Sequence, residues 1–243
     1  MFPLFLAEYQ LSLVLQSSLP PKNLTKQKRS LKKDSLEEKI ALGIIALFHI
    51  TGAAILQFSK GGLYQITLDL VPINLIFTAL ITFKYQSEYT AGFFKFGLLV
   101  FIFGIFIEMI GVNYGWIFGV YTYGEVLGYQ IWNTPVLIGM NWLLLCYCSG
   151  ALLEYLPLKT FLKWILSVGL LLSLDYFMEP VAMKNDFWTW ENNSIPLQNY
   201  VGWAGSGAIF MFLYYNFNFP KKNRVATGVW GIQFLFFLLQ NIL

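Results

Sequence analysis

The stretch FFKFGLLVFIFGIFIEMIG, residues 93–111, decides the fold class. It is apolar throughout, apart from Lys95 near its start and Glu108 near its end. An α-helix needs about 20 predominantly apolar residues to cross the hydrocarbon layer of a bilayer. The stretch therefore predicts a transmembrane helix that carries one carboxyl group close to its end.

Runs of this kind recur along the chain. The chain is 57% hydrophobic and 12% charged, whereas a soluble domain usually carries about 25% charged residues. We therefore predict an all-α fold, a polytopic integral membrane helical bundle of about seven transmembrane helices, in one domain of residues 40–243. The predicted spans are residues 40–58, 67–83, 93–111, 132–150, 161–180, 198–215 and 225–242.

Residues 1–39 are predicted to form a separate N-terminal region. Residues 2–19 are apolar but lack the basic start and the cleavage site of a signal peptide. An extra span and an interfacial helix both remain open for them. Residues 20–39 carry seven Lys or Arg and three Asp or Glu. Beside a membrane span, this composition indicates a cytoplasmic flank rather than a nucleic-acid partner.

The basic residues also orient the predicted spans. With residues 20–39 in the cytoplasm, fourteen of the sixteen Lys and Arg residues fall on that side of seven spans, and Lys60 and Lys184 fall on the other. Such an asymmetry is typical of inserted helices. It predicts a protein of the cytoplasmic membrane, surrounded by the lipid bilayer, with its basic flank inside.

Acidic residues collect at the opposite, outer ends of the predicted helices. Asp69, Glu108, Asp175 and Glu179 all lie there, next to two aromatic loops. A carboxyl group within or at the edge of the hydrocarbon layer is costly, and it is a functional candidate by default. For Glu108 two roles stand, one in a pocket and one as a buried hydrogen-bond partner between packed helices.

The stretch DYFMEP (175–180) contains a pair of carboxyl groups four residues apart, on one face of a helix. Mutual repulsion and burial both disfavour the charged form, so one of the two is expected to hold a proton at neutral pH and to act as an acid. The alternative is a hydrated pair at the membrane interface, beside a helix end marked by Pro180.

Small and aromatic residues surround these acids in the sequence. Gly104, Gly111, Gly115 and Gly119 follow helical spacing and predict close helix packing. Trp188, Trp190 and Trp203 lie near acidic residues, and ring faces stabilise cations. An acid beside an aromatic wall is what protonation of an isolated alkene requires.

Other chemistries are not supported by the residue pattern. His49 is the single histidine, which excludes haem held by two histidines and a multi-histidine iron centre. We expect His49, Asn74 and Asn141 to form hydrogen bonds between helices. The chain has no nucleotide-binding fingerprint, no GxSxG and no DDxxD-like cluster, so neither a cofactor nor a metal is predicted.

Five motifs together resemble the membrane carotenoid-biosynthesis family, which includes carotenoid 1′,2′-hydratases. The resemblance covers roughly residues 40–240. Where the family more often shows DxxxDP, this chain has Asp175, Glu179 and Pro180, so a carboxyl group is kept. The motifs are EMIGVNYGWIFGVYTYGEVLG (108–128), NW (141–142), DYFMEP (175–180), WTW (188–190) and NYVGW (199–203).

The resemblance implies a substrate and a set of site residues. The substrate is an acyclic carotenoid, whose terminal C1′=C2′ double bond gains water after protonation. A cyclase-like isomerase and a non-catalytic carotenoid-binding membrane protein are the alternatives, and the oligomeric state is open. From the residue pattern and the resemblance together, the predicted catalytic residues are Asp175, Glu179 and Glu108, and the predicted substrate-binding residues are Trp188, Trp190, Trp203, Asn199, Tyr121, Tyr123 and Asp69.

Overall fold

The computed structural model describes the backbone of residues 21–243 and the side chains of residues 35–243. The predicted span or interfacial helix at residues 2–19 lies outside the described residues. The helices are α1 Pro21–Phe58, α2 Gly62–Asp69, α3 Val71–Lys84, α4 Ala91–Tyr114, α5 Leu137–Leu153, α6 Thr160–Lys184, α7 Leu197–Asn216 and α8 Arg224–Ile242. The strands are β1 Tyr121–Tyr123, β2 Gln130–Ile131, β3 Thr134–Pro135 and β4 Trp188–Trp190.

The predicted all-α class and the membrane bundle are confirmed. Four segments of the described chain are long and apolar enough to cross a membrane: Ser35–Phe58 within α1, and α4, α6 and α8. Helices α2 and α3 are bent by 41° and make a fifth if they cross together. Helix α5 is apolar but shorter, so the total of seven spans stays a prediction.

Helix α5 forms the core of the compact unit Leu42–Leu243. Every residue from Trp142 to Ala151 is buried, because α3, α4, α6, α7 and α8 all pack against this helix. A helix that is apolar all round is stable only in such a position. The surrounding helices turn large apolar side chains outward, for example Leu47, Phe94 and Ile209, which lipid rather than water would solvate.

Helix α4 has well-defined ends that place Glu108 inside it. It begins after Thr90, whose hydroxyl accepts a hydrogen bond from the Phe93 N–H at 3.2 Å. It ends at Gly115, which adopts a left-handed conformation with φ of 67°. The predicted packing stripe is therefore wrong beyond Gly111, because Gly115 terminates the helix and Gly119 lies in the following loop.

Helix α6 does not end at Pro180. It continues to Lys184, although a proline removes one backbone hydrogen bond and usually bends a helix. Packing against α5, α7 and α8 holds it on several sides. The pair Asp175 and Glu179 is fully buried rather than hydrated at a helix end, so the structure contradicts the interfacial alternative.

A short antiparallel ribbon joins two distant loops. Strand β1 pairs with β4, with Tyr121 opposite Trp190 and Tyr123 opposite Trp188. Side chains alternate between the two faces of a strand, so these four aromatic residues share one face and Thr122 and Thr189 share the other. The sequence prediction contained no strands, because segments this short carry no periodic signal. The hairpin of β2 and β3 occupies the start of the span predicted at residues 132–150.

Candidate active site

The tryptophans of strand β4 meet one carboxyl group of helix α6. Trp188 Nε1 donates a hydrogen bond to Oε2 of Glu179 at 2.8 Å, and Trp190 Nε1 donates to the same oxygen at 2.6 Å. Glu179 is only 1% exposed. The alternation of strand β4 therefore delivers two indole N–H groups to a single buried carboxylate oxygen.

The tyrosines of strand β1 meet a second carboxyl group, on helix α4. Tyr121 and Tyr123 donate their hydroxyl protons to Oε2 of Glu108 at 2.5 and 2.8 Å. Trp142 Nε1, from the core helix α5, donates to Oε1 at 2.9 Å. Glu108 is thus a buried acceptor for three aromatic donors, and the ribbon connects it with Glu179.

Asn199 connects the two carboxyl groups of helix α6. Its Nδ2 donates to Oδ2 of Asp175 at 3.1 Å and to Oε1 of Glu179 at 3.0 Å. Asn199 belongs to the first turn of α7, where its own N–H bonds the Pro196 carbonyl at 3.0 Å. One amide thus bridges the two carboxyl groups and holds them as an acidic pair.

The three carboxyl groups differ in their hydrogen bonding. Glu108 and Glu179 each accept three hydrogen bonds, whereas Asp175 accepts one, from Asn199. Oδ1 of Asp175 is buried and receives no hydrogen bond from the described residues. Donors stabilise a carboxylate anion, and an oxygen without a donor is the place where a proton can reside. The site therefore combines two carboxyl groups that each accept three hydrogen bonds with a third, Asp175, that accepts one from the described residues.

Aromatic rings enclose the carboxyl groups. The rings of Trp142 and Trp203 stack at 4.0 Å, and those of Tyr121 and Trp190 lie 4.9 Å apart. Burial and the charge of Glu108 raise the pKa of Tyr121 and Tyr123, in the loop after α4, well above the usual value of 10. Both hydroxyl groups therefore remain hydrogen-bond donors at physiological pH.

A mainly apolar cavity of about 310 Å³ lies beside this site. Residues of α1, α3, α5 and α8 form most of its wall, and Phe48, which lines it, is also exposed on the outside of the bundle. Trp188 and Met178 are also part of the wall, but the three carboxyl groups are not. Trp188 lies between the cavity and Glu179, since it lines the first and bonds the second.

The structure brings together most of the predicted site residues. Glu108, Asp175, Glu179, Asn199 and the aromatic residues of β1 and β4 share hydrogen bonds, and Trp203 joins them through its stacking on Trp142. Asp69 lies apart: it is exposed and accepts a hydrogen bond from Gln65 at 3.0 Å. The sequence prediction of site residues missed Trp142, because no spacing rule connects a core tryptophan with Glu108 on another helix.

Two predictions of interhelical hydrogen bonds are corrected. His49 Nδ1 donates to the carbonyl of Ile45 at 2.8 Å, within its own helix, and its ring packs edge-on against Phe236 of α8. Oδ1 of Asn74 accepts no hydrogen bond from the described residues. Both residues line the cavity. Asn141 lines it as well, and its hydrogen bond between helices stays a prediction.

Comparisons with known proteins agree with the resemblance. The family model described as "Carotenoid biosynthesis protein" matches residues 69–243. The bisanhydrobacterioruberin hydratase of Haloarcula japonica is 27% identical over 197 residues, which cover 73% of this chain and 65% of the relative. The chain thus spans less than two thirds of the length of that relative. No solved structure matches the present chain. Since the family model covers most of the chain and all three buried carboxyl groups, the chain belongs to the carotenoid biosynthesis protein family.

Proposed function

We propose that the protein is a carotenoid 1′,2′-hydratase, which adds water across the terminal C1′=C2′ double bond of an acyclic carotenoid end group. The observation that carries the proposal is the buried pair Asp175 and Glu179, held by Asn199 next to an apolar cavity. The relative that is named a hydratase supports the same reaction, at modest identity.

Asp175 is the proposed acid. Two buried carboxyl groups bridged by one amide cannot both be ionised without repulsion, and one proton on the pair removes it. Glu179 is bonded by three donors, and Oδ1 of Asp175 has none among the described residues. The proton therefore resides on Asp175, which transfers it to C2′ and leaves a tertiary cation at C1′.

The aromatic wall stabilises that cation. Trp188, Trp190 and Tyr121 present ring systems around the acidic pair, and ring faces attract cations in a dry site. The anions Glu179 and Glu108 add electrostatic stabilisation that is already oriented before the reaction. The donors to Glu108, which are Tyr121, Tyr123 and Trp142, already hold this carboxyl group before positive charge appears.

The second half of the reaction returns the proton. A water molecule forms its bond to C1′, and the Asp175 carboxylate accepts one of the protons of that water. The sum is the addition of one water molecule to one double bond, with no change of oxidation state in the protein. The acid is regenerated and ready for another end group.

The polyene enters from the bilayer. The cavity of about 310 Å³ is smaller than a long carotenoid, so it accepts the end group while the remaining chain lies among lipid at Phe48. Trp188 separates the cavity from Glu179 and has to turn aside for the end group to reach Asp175. The basic N-terminal flank lies in the cytoplasm, which puts the reaction at the outer ends of the helices.

Production of the protein in a lycopene-synthesising bacterial host tests the proposal. We expect pigments that are heavier by one or two water molecules. The Asp175→Asn variant should lose this product by a factor of about 10²–10⁴, the usual contribution of a general acid. Glu125→Gln, which changes an exposed carboxyl group of the same outer loops, is the matched control and should keep full conversion.

The mass spectrum also separates the alternative functions. A cyclised pigment of unchanged mass would indicate a cyclase-like isomerase. Bound but unaltered lycopene on the purified wild-type protein would indicate a carotenoid-binding protein. Full conversion by Asp175→Asn and Glu179→Gln together would refute the acid mechanism.

A further inference from the structure

We propose that Asn74, Thr78 and Gln233 form a water-binding site inside the cavity, and that this site supplies the water that captures the carotenoid cation. The inference rests on the proposed hydratase function and deepens it, since it assigns residues to the second substrate. None of the three residues belongs to the carboxyl cluster.

The three side chains converge on one cavity. Asn74 and Thr78 are four residues apart on α3 and share a helix face, and Gln233 lies on α8, which packs against α3. All three line the cavity. Thr78 is 1% exposed and Gln233 is 6% exposed. The cavity is mainly apolar. His49, Thr51, Thr67 and Asn141 also line it, but among the described residues none of these four has a buried polar atom without a hydrogen-bond partner.

Each of these side chains has an oxygen atom without a protein partner. Oδ1 of Asn74, Oγ1 of Thr78 and Oε1 of Gln233 are buried and form no hydrogen bond with the described residues. Buried polar atoms are nearly always paired, because an unpaired one is costly. Three such atoms on one cavity indicate a polar ligand that the protein itself does not provide.

A neighbouring threonine, Thr82, shows that helix α3 can provide a hydrogen-bond partner for a buried threonine hydroxyl group. Thr82 is fully buried one turn further along α3, and its hydroxyl donates to the carbonyl of Thr78 at 2.7 Å. Thr82 is not part of the cavity wall. The unpaired state is thus a property of the cavity-lining position and not of threonine in this helix.

The chemistry of the three atoms identifies water as the ligand. The two amide oxygens are acceptors and the hydroxyl both donates and accepts, so the ligand needs two O–H or N–H donors and one acceptor. A hydrocarbon end group offers none of these, a ketone offers no donor and an alcohol offers one. Water offers two donors and two lone pairs, and a buried water usually has two to four polar partners.

The position of the site fits the reaction. The cavity that holds the three polar residues is also lined by Trp188, which bonds Glu179. A water molecule bound there shares this cavity with the end group. Once Trp188 has turned aside, the water forms the C1′–O bond and gives one proton to the Asp175 carboxylate. If the water is missing, the cation instead loses a proton from a neighbouring carbon and yields an isomer of unchanged mass.

The test compares the double variant Thr78→Val/Gln233→Leu with Thr82→Val in lycopene-synthesising cells. The ratio of hydrated to isomerised pigment should fall about tenfold in the double variant, on the scale of one or two lost hydrogen bonds, and should stay unchanged in Thr82→Val. Two single variants complete the comparison. Thr78→Val should lower the ratio, and Thr78→Ser, which keeps the hydroxyl group, should leave it higher than Thr78→Val does.

A second measurement excludes simple misfolding. Because the replaced atoms are unpaired, the purified double variant should bind as much pigment as the wild type and unfold at the same or a higher temperature. An unchanged product ratio in a hydrating protein would overturn the water site and leave the hydratase proposal standing. A wild-type protein that yields no hydrated pigment would overturn both.

Discussion

Trp188 donates its indole hydrogen bond to Glu179 at 2.8 Å, and the same side chain forms part of the wall of the cavity. Trp188 is therefore part of the boundary between the space for an apolar ligand and the buried acids. Its position follows from the pairing of β1 with β4, which sets Trp188 opposite Tyr123.

Trp188→Phe tests this separation. An aromatic ring, now phenyl, remains at this position, but Glu179 loses one of its three donors. We therefore expect hydration of lycopene to decrease about tenfold, on the scale of a lost hydrogen bond to a charged group. Turnover in membranes that contain lycopene measures the effect. Trp116→Phe, which changes a tryptophan that is mostly exposed on the same side, is the control. Equal turnover of the two variants would contradict a role for the indole N–H.

Tyr121 and Glu108 should be energetically coupled. Tyr121→Phe removes the hydroxyl group that donates to Glu108. Glu108→Gln replaces the carboxyl group that accepts this hydrogen bond with a neutral amide. A double-mutant cycle on unfolding in detergent should give a coupling free energy of about 1.5–3 kcal/mol, the range for hydrogen bonds to charged groups. Additive effects within about 0.5 kcal/mol would show that the 2.5 Å contact contributes little stability.

Asn199→Asp should damage the acidic pair in a pH-dependent manner. The substitution replaces a shared donor with a third carboxyl group beside Asp175 and Glu179, so the ionised form adds repulsion and removes two hydrogen bonds. Protonation of the new group relieves the repulsion. We therefore expect the melting temperature to fall more at pH 8 than at pH 5, relative to wild type, whereas Asn199→Ala should show a loss with little pH dependence.

Gly111→Ala should disturb the site without touching a polar group. An added Cβ would lie 2.8 Å from the Tyr121 hydroxyl oxygen and from a ring carbon of Phe118, so Tyr121 has to move away from Glu108. We expect lower turnover and about 1–3 kcal/mol less stability, the usual cost of overpacking. Gly97→Ala on the same helix meets Leu143 only at 3.8 Å, and it should keep full activity.

Local patterns in the chain were sufficient to predict the long helices and the candidate acids. Hydropathy and the 3.6-residue period are properties of neighbouring residues, so they identified α4, α6 and α8 and the shared face of Asp175 and Glu179. The boundaries were less accurate where a proline or glycine acts against its usual tendency, as Pro180 does inside α6. Strands β1 and β4 were missed because their pairing depends on a partner far away in the chain.

The sequence by itself determined an all-α membrane protein with carboxyl groups toward one end of its helices, since apolar length and the positions of charged residues are properties of the chain alone. The tertiary structure alone decided which groups meet. Within the part of the chain that the structure describes, it gave Glu108 and Glu179 three donors each and left Oδ1 of Asp175 without one. It also separated Asp69 from these groups and set Asn74, Thr78 and Gln233 around one cavity. Hydrogen bonds and cavities depend on distances of a few ångströms between different helices, and no pattern along a single helix contains that information.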